Sequence, residues 1–307
     1  MRFLRVGSSA LVFVASAILA PPMAHAQPAA CTIIERNLEA GRSELATPQL
    51  SAMLFSAADG GCVALVPRLI AAGASAATRD RTGGTALTHA ARAGRVGIVP
   101  ALLSNGADIN QRDISGATPL AVAIETSHSQ VAVALIEAGA DITLSGRSGI
   151  TPLIAAAYNG NQPVVDILLR HKADVAVVDS TGKSAIVYAA ARGFTRIVSR
   201  LLDAGIDVNA VYANRLTVLS WAAGHADDVP ESEAATLVAS LLDRGAKPDI
   251  ADDRGQTTLM IAAEMGHDDV AGILLAHGAN PALRNKSGQT ARDLTRSPEL
   301  LFKLPAG

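Results

Sequence analysis

The residues best able to do chemistry are few and scattered. Six histidines follow residue 27: His89, His128, His171, His225, His267 and His277. None falls in an H-E-x-x-H pair or at a Cys/His spacing that would close a tetrahedral metal site. Ser180 to Ser184 reads STGKS and ends like a phosphate-cradling loop, but the upstream glycine such a loop requires is Val177 here. There is no G-x-S-x-G elbow, and no pair of carboxylates is set apart from the general surface charge. The expectation is therefore a protein without catalytic residues, metal or cofactor.

Most positions instead serve a repeat. TALTHAARAG begins at Thr85, TPLAVAIETS at Thr118, TPLIAAAYNG at Thr151 and SAIVYAAARG at Ser184. TVLSWAAGHA begins at Thr217 and TTLMIAAEMG at Thr257. The steps are 33, 33, 33, 33 and 40 residues; a further 33 reaches Thr290, and 33 back from Thr85 reaches Ala52. A second marker keeps the same beat: Gly73-Ala74, Gly106-Ala107, Gly139-Ala140, Lys172-Ala173, Gly205-Ile206, Gly245-Ala246 and Gly278-Ala279. An apolar pair precedes each.

This pattern resembles the ankyrin repeat from about Ser51 onward. The resemblance implies an all-α solenoid: two antiparallel helices per repeat, with a β-hairpin-like loop projecting from them. Local chemistry agrees. Thr118 and Thr151 stand where an N-cap is wanted, with Pro119 and Pro152 at the first helical position, where a missing N–H costs nothing. Leu153, Ala156 and Ala157 share one helical face; Val164, Val165, Leu168 and Leu169 share the next. Gly160 and the Gly-Ala markers suit left-handed helix ends, and Lys172 holds such a place at a steric cost. With aromatics at only 3% of residues, the core must be Ala, Leu, Ile and Val.

Two departures matter. The fourth motif position, usually His in this family, is Thr88, Ala121, Ile154, Val187, Ser220 and Met260, so the polar network between repeats is expected to be reduced or absent, with His89 no substitute. The sixth repeat is seven residues too long around GHADDVPESEAA, either a tolerated surface insertion or a local binding element. Trp221 falls at a position occupied elsewhere by His89, Val122, Ala155, Tyr188 and Ile261, and reads as core.

The first 26 residues stand apart. Arg2 and Arg5 precede an apolar run from Leu11 to Ala20, and Ala24-His25-Ala26 is an A-x-A cleavage pattern. This is a secretory signal peptide by composition, with a run too short to span a bilayer. The expected division is a signal peptide at 1–26, a leader or cap at 27–50, an array of about seven repeats plus a partial cap at 51–302, and a tail at 303–307. Cleavage leaves the chain more acidic than its formal −2, which speaks against nucleic-acid binding. Export makes a Cys31–Cys62 disulfide the expectation over two separate buried thiols.

The resemblance implies recognition through the hairpin tips and the exposed sides of the first helices. At the tips this names Arg79, Arg81, Arg112, Ile114, Arg147, Tyr212, Asn214, Asp253, Arg254 and Lys286. On the helices it names Arg92, Glu125, Tyr158, Asn159, Arg192, His225, Glu264 and Met265. Arginine-rich tips at the start and acidic residues further along would give an oriented partner its polarity. The expected function is non-enzymatic binding of an unidentified protein by a monomer in the bacterial periplasm. The alternatives are a secreted or host-directed effector and, from a third class, an enzyme or small-molecule binder.

Overall fold

The computed structural model describes residues 29–41, 45–224 and 229–304. The signal-peptide reading, His225 and the start of the acidic insertion fall outside these residues. A leader helix α1 (Ala29–Ala40) precedes seven helix pairs: α2 (Thr47–Gly60) with α3 (Leu65–Ala71), α4 (Ala86–Arg92) with α5 (Val99–Ser104), and α6 (Pro119–Glu125) with α7 (Ser129–Glu137). Next come α8 (Pro152–Tyr158) with α9 (Gln162–Arg170), α10 (Ala185–Ala191) with α11 (Thr195–Asp203), α12 (Val218–Ala223) with α13 (Glu231–Asp243), and α14 (Thr258–Met265) with α15 (Asp268–Ala276). A short pair, α16 (Ala291–Leu294) and α17 (Pro298–Lys303), closes the end, and Leu304 just beyond it is buried. The architecture is the all-α ankyrin solenoid, with isolated bridges but no strands among the described residues.

First helices pack on first helices along the stack, and second helices on second helices. The fit depends on alanine. Ala57, Ala90, Ala123, Ala156, Ala189, Ala222 and Ala262 occupy one register position in successive first helices, and all are fully buried. A larger side chain there would force neighbouring helices apart, at about 1–3 kcal/mol. Leucines such as Leu54, Leu87, Leu102 and Leu135 fill the layer between the two helix rows, each contributing roughly 1.5–3 kcal/mol by burial.

The helix starts form as the sequence requires. Thr85, Thr118, Thr151, Thr217, Thr257 and Thr290 each accept from the main-chain N–H three residues on, and Ser184 makes no such bond. Lys172 takes φ 60° in the place of a glycine, a conformation costing about 1 kcal/mol. Gly160 shows why that residue is wanted at the end of a first helix. Its φ is 67°, and a Cβ would lie 2.7 Å from the Phe194 ring of the next repeat.

Polar side-chain links between repeats are present, and His89, expected to be no substitute for the family histidine, makes one of them. Its Nδ1 lies 3.1 Å from Asp59 on α2 and its Nε2 3.0 Å from Asp80 in the hairpin before α4, while its ring stacks on Phe55. Ser220 adds a second link, 3.1 Å from Thr258 of the following repeat. His128 and His267 each reach back to a carbonyl ending the preceding first helix, those of Arg92 and Ala223.

Cys31 is bonded to Cys62, which fixes α1 to the first helix pair; Arg68 pairs with Glu35 and Glu39 across the same joint. At the other end Arg292 donates to the carbonyls of Leu301 and Leu304, capping α17. The described part of the long sixth repeat packs against its neighbours. Residues from Glu231 lengthen α13, Val229 packs over Gly193, and Glu231 accepts from the Asp269 main-chain N–H on α15.

Candidate functional site

Five of the hairpins are each wound around one side-chain acceptor. Asp80 Oδ1 receives the N–H groups of Thr82 and Gly84 at 2.7 and 2.9 Å. Asp113, Asp179, Asp252 and Asn285 repeat the arrangement. Burial raises the Asp80 carboxyl pKa, but hydrogen bonds from Thr82, Gly84 and His89 outweigh it and hold the group at about 2. These tip carboxylates are therefore occupied by their own loops.

The second oxygen of the tip carboxylate can look toward the first helix. Asp80 meets His89 this way, and Tyr188 donates to Asp179 Oδ2 at 2.5 Å. Burial first, and the Asp179 bond second, push the Tyr188 hydroxyl above its ordinary range. Hairpins and first helices thus form the two walls of one groove.

The middle of that groove is aromatic and cationic. Tyr158 and Tyr188 meet edge to face at 5.6 Å. Lys183 Nζ lies 5.7 Å from the Tyr188 centroid and 5.2 Å from that of Trp221. The Arg192 guanidinium lies 5.1 Å from Tyr158 and 5.6 Å from Phe194. Such pairs lower the hydration of the cations and fix long side chains that would otherwise sample many rotamers. Trp221 packs against the core, as its register predicts, but is only partly buried, and its ring also lies under Lys183.

A cavity of about 300 Å³ opens beside this cluster, between Tyr158, Tyr188, Ile150, Ala155 and Glu125. A smaller one of about 150 Å³ continues from it toward Arg147 and shares Glu125, Ile150 and Ala155. Glu125 makes no hydrogen bond or ion pair with another described residue. Desolvation, then repulsion from Asp113, pushes its carboxyl above the ordinary range.

The residues named from sequence divide by what holds them. Arg79 donates to the carbonyls of Gly83 and Arg112, Arg112 to those of Gly116 and Ser145, and Arg147 to that of Ser115. These three tie one hairpin to the next while remaining at least partly exposed, and Arg81 is exposed beside them. Arg92 lies near enough to Asp113 to help lower that carboxyl, behind burial, which opposes, and local hydrogen bonds. Asn159 donates to the Ile124 carbonyl of the preceding repeat. Tyr212 is half-buried, its hydroxyl pushed up by burial. Asn214, Arg215 and Asp253 form an exposed group at the sixth and seventh tips, where the Asp253 N–H reaches the Asn214 carbonyl. Glu264 accepts from Gln256, Arg254 bonds Asp252, and Lys286 continues the tip row through its N–H to Arg254. Ile114, at 72% exposure, and Met265, at 52%, are open to solvent.

Of this set, Tyr158, Asn159, Arg147 and Glu125 line the paired cavities, and Arg192 stacks on Tyr158 beside them. Ile150 and Tyr188 line them too, with Lys183 over the Tyr188 and Trp221 rings beside them, and none of these four is a candidate named from sequence. In sequence Lys183 belongs to the incomplete phosphate-loop pattern, and the register shared by Tyr188 and Trp221 reads as apolar packing. The signal was present in the register: both lie nine residues after a hairpin-tip position, as His89 does. Among the described residues, no group of three or more His, Cys, Asp or Glu is placed to hold a metal ion.

Comparison with known proteins agrees with this geometry. The family model for ankyrin repeats in three copies matches residues 53–146 and 143–212, and one for many copies matches 241–294. An ankyrin repeat-containing protein of Treponema pallidum (strain Nichols) is 42% identical over 71 residues, covering 22% of this chain and 24% of that protein. The potassium channel AKT2/3 of Arabidopsis thaliana is 40% identical over 57 residues, covering 19% of this chain and 7% of the channel. The chain thus spans less than a quarter of the length of either curated relative. An ankyrin repeat domain from Acinetobacter baumannii AYE, solved by crystallography, superposes with a TM-score of 0.56 at 32% identity, covering 63% of this chain and 98% of that one.

Proposed function

The chain belongs to the ankyrin-repeat family, and from that membership we propose that it is a non-enzymatic scaffold that takes a protein partner in the groove between its hairpins and first helices. Ankyrin arrays are protein-interaction modules, and here the repeat uses nearly all of the described chain. The observation that carries the groove reading is the cluster of Tyr158, Tyr188, Arg192, Lys183 and Trp221 beside an open cavity. Aromatic and arginine side chains, held rigid and still exposed, are the residue types that dominate binding energy at protein interfaces. We further propose that the chain acts in the bacterial periplasm, because its first 26 residues carry the composition of an export signal.

Affinity capture from an envelope extract tests the first proposal. The mature protein should retain a partner that a Tyr158→Ala/Arg192→Ala double variant loses, while Gln130→Ala on the outer helix row keeps it. A partner retained equally by both variants would place binding elsewhere. Cell fractionation tests the second: recovery in the periplasmic fraction with residues 1–26 removed is expected. Recovery in culture fluid would favour a secreted effector instead.

A further inference from the structure

The paired cavities exist because the fourth repeat lacks two things its neighbours have. Five hairpins carry a tip acceptor, Asp80, Asp113, Asp179, Asp252 and Asn285; the hairpin before α8 has Gly146 there and the one before α12 has Tyr212. Nine residues later the groove wall carries His89, Val122, Tyr188, Trp221 and Ile261 in other repeats. In the fourth it is Ala155. Only this step has both a bare tip and a one-carbon side chain opposite. Gly146 is not required by the backbone, since its φ is −78° and a Cβ there would meet nothing closer than 4.0 Å.

The resulting hole has a definite chemistry. Its walls are Ile150, Ala155 and the Tyr158–Tyr188 pair, and its one charged group is Glu125. Arg147 stands at the far end of the smaller cavity, and no basic side chain lines the larger. Resting on the groove reading above, we propose that the cavity receives a lysine or arginine side chain from an extended segment of the partner. The aliphatic stem would lie against Ile150 and Ala155, and the cationic head would meet the Glu125 carboxylate beside the tyrosine rings. Charge complementarity selects this occupant. Glu125 is exposed at the edge of this partly apolar recess, only partly desolvated by its walls, and an incoming cation supplies the partner that the fold does not. An acidic side chain would meet repulsion from Glu125, and a purely aliphatic one would bury the carboxylate unpaired.

The test is selection of a phage-displayed library of random 12-residue peptides on the mature protein, followed by synthesis of the selected peptides and affinity measurement by fluorescence polarisation. Selected peptides should share a lysine or arginine at one position. Replacing it by norleucine should weaken binding at least tenfold, and so should Glu125→Gln in the protein, with its fold checked by circular dichroism. Ala155→Tyr, which refills the hole as Tyr188 does in the next repeat, should weaken the same peptides. Peptides that depend on Tyr158 or Arg192, yet carry no basic anchor and ignore Glu125→Gln, would overturn this proposal and leave the groove reading standing. A selection yielding no peptide sensitive to any groove substitution would overturn both.

Discussion

Glu125 is the residue at which stability and recognition pull apart. Its folded-state pKa is raised above the ordinary 4.5, first by desolvation and second by Asp113. The folded protein therefore holds that proton to a higher pH than the unfolded chain does. Stability is lost as pH rises through the interval between the two values, and it stays lost above them. Glu125→Gln, which cannot ionise, should melt higher than the parent at pH 7.5, and the difference should shrink toward pH 4. Equal melting temperatures at both pH values would mean that the carboxylate is fully solvated. A side chain that costs stability and satisfies no neighbour is what a binding role predicts. Its sequence gave no hint of this, because an exposed glutamate at a helix end is ordinary. The recess that Glu125 borders, opened by Gly146 and Ala155, is visible only once hairpins and helices are set side by side.

At the scale of the element, the hairpin is held by its tip carboxylate and by arginines borrowed from neighbouring loops. The Asp80 carboxyl sits at about 2 in the folded state against 3.8 ordinarily. Its contribution is fully present above pH 4 and is lost as pH falls toward 2, on the order of 1–2 kcal/mol. In Asp80→Asn, unfolding free energy measured by urea titration should be lower at pH 6 and should fall less steeply between pH 4 and 2. An unchanged slope would show that the hydrogen bonds, not the charge, do the holding. Helices were the legible elements: the Thr caps, the 33-residue step and the buried alanine column follow from residue type alone. The hairpins were less so. Arg79, Arg112 and Arg147 carry the residue type of an interface, and nothing in a linear string shows that their N–H groups already point at carbonyls about 33 residues away. His89 is opaque for the same reason, since its partners are Asp59 on α2 and Asp80 in a hairpin.

The whole molecule is a one-dimensional stack whose stability is a sum over repeats and the joints between them. Its ends therefore matter more than they would in a globular core. The Cys31–Cys62 bond closes a long loop over the first joint, worth about 3–4 kcal/mol on the chain-entropy account. In a Cys31→Ser/Cys62→Ser variant, amide hydrogen exchange should accelerate in α1, α2 and α3 while α12 to α15 keep their protection. Uniform acceleration along the chain would mean that the array opens as a single unit. The stack was readable from the sequence because each repeat restates the others. What distinguishes one joint from the next, and so what the molecule can hold, lies in the few positions where the restatement fails.

One such position has a mechanical side. Successive hairpins are linked by main-chain bonds, Ile114 N–H to Thr82, Ser180 to Ser148, Ala213 to Gly182, Asp253 to Asn214 and Lys286 to Arg254. Between the third and fourth hairpins two side chains take the place of the main-chain N–H, Arg147 reaching the Ser115 carbonyl and Arg112 that of Ser145. A side-chain strut several bonds long stretches and swings more easily than a peptide group. The tip row behaves as a spring with one compliant coil, and that coil borders the cavity at Glu125. Bending of the array is expected to concentrate there, coupling its curvature to the width of the recess.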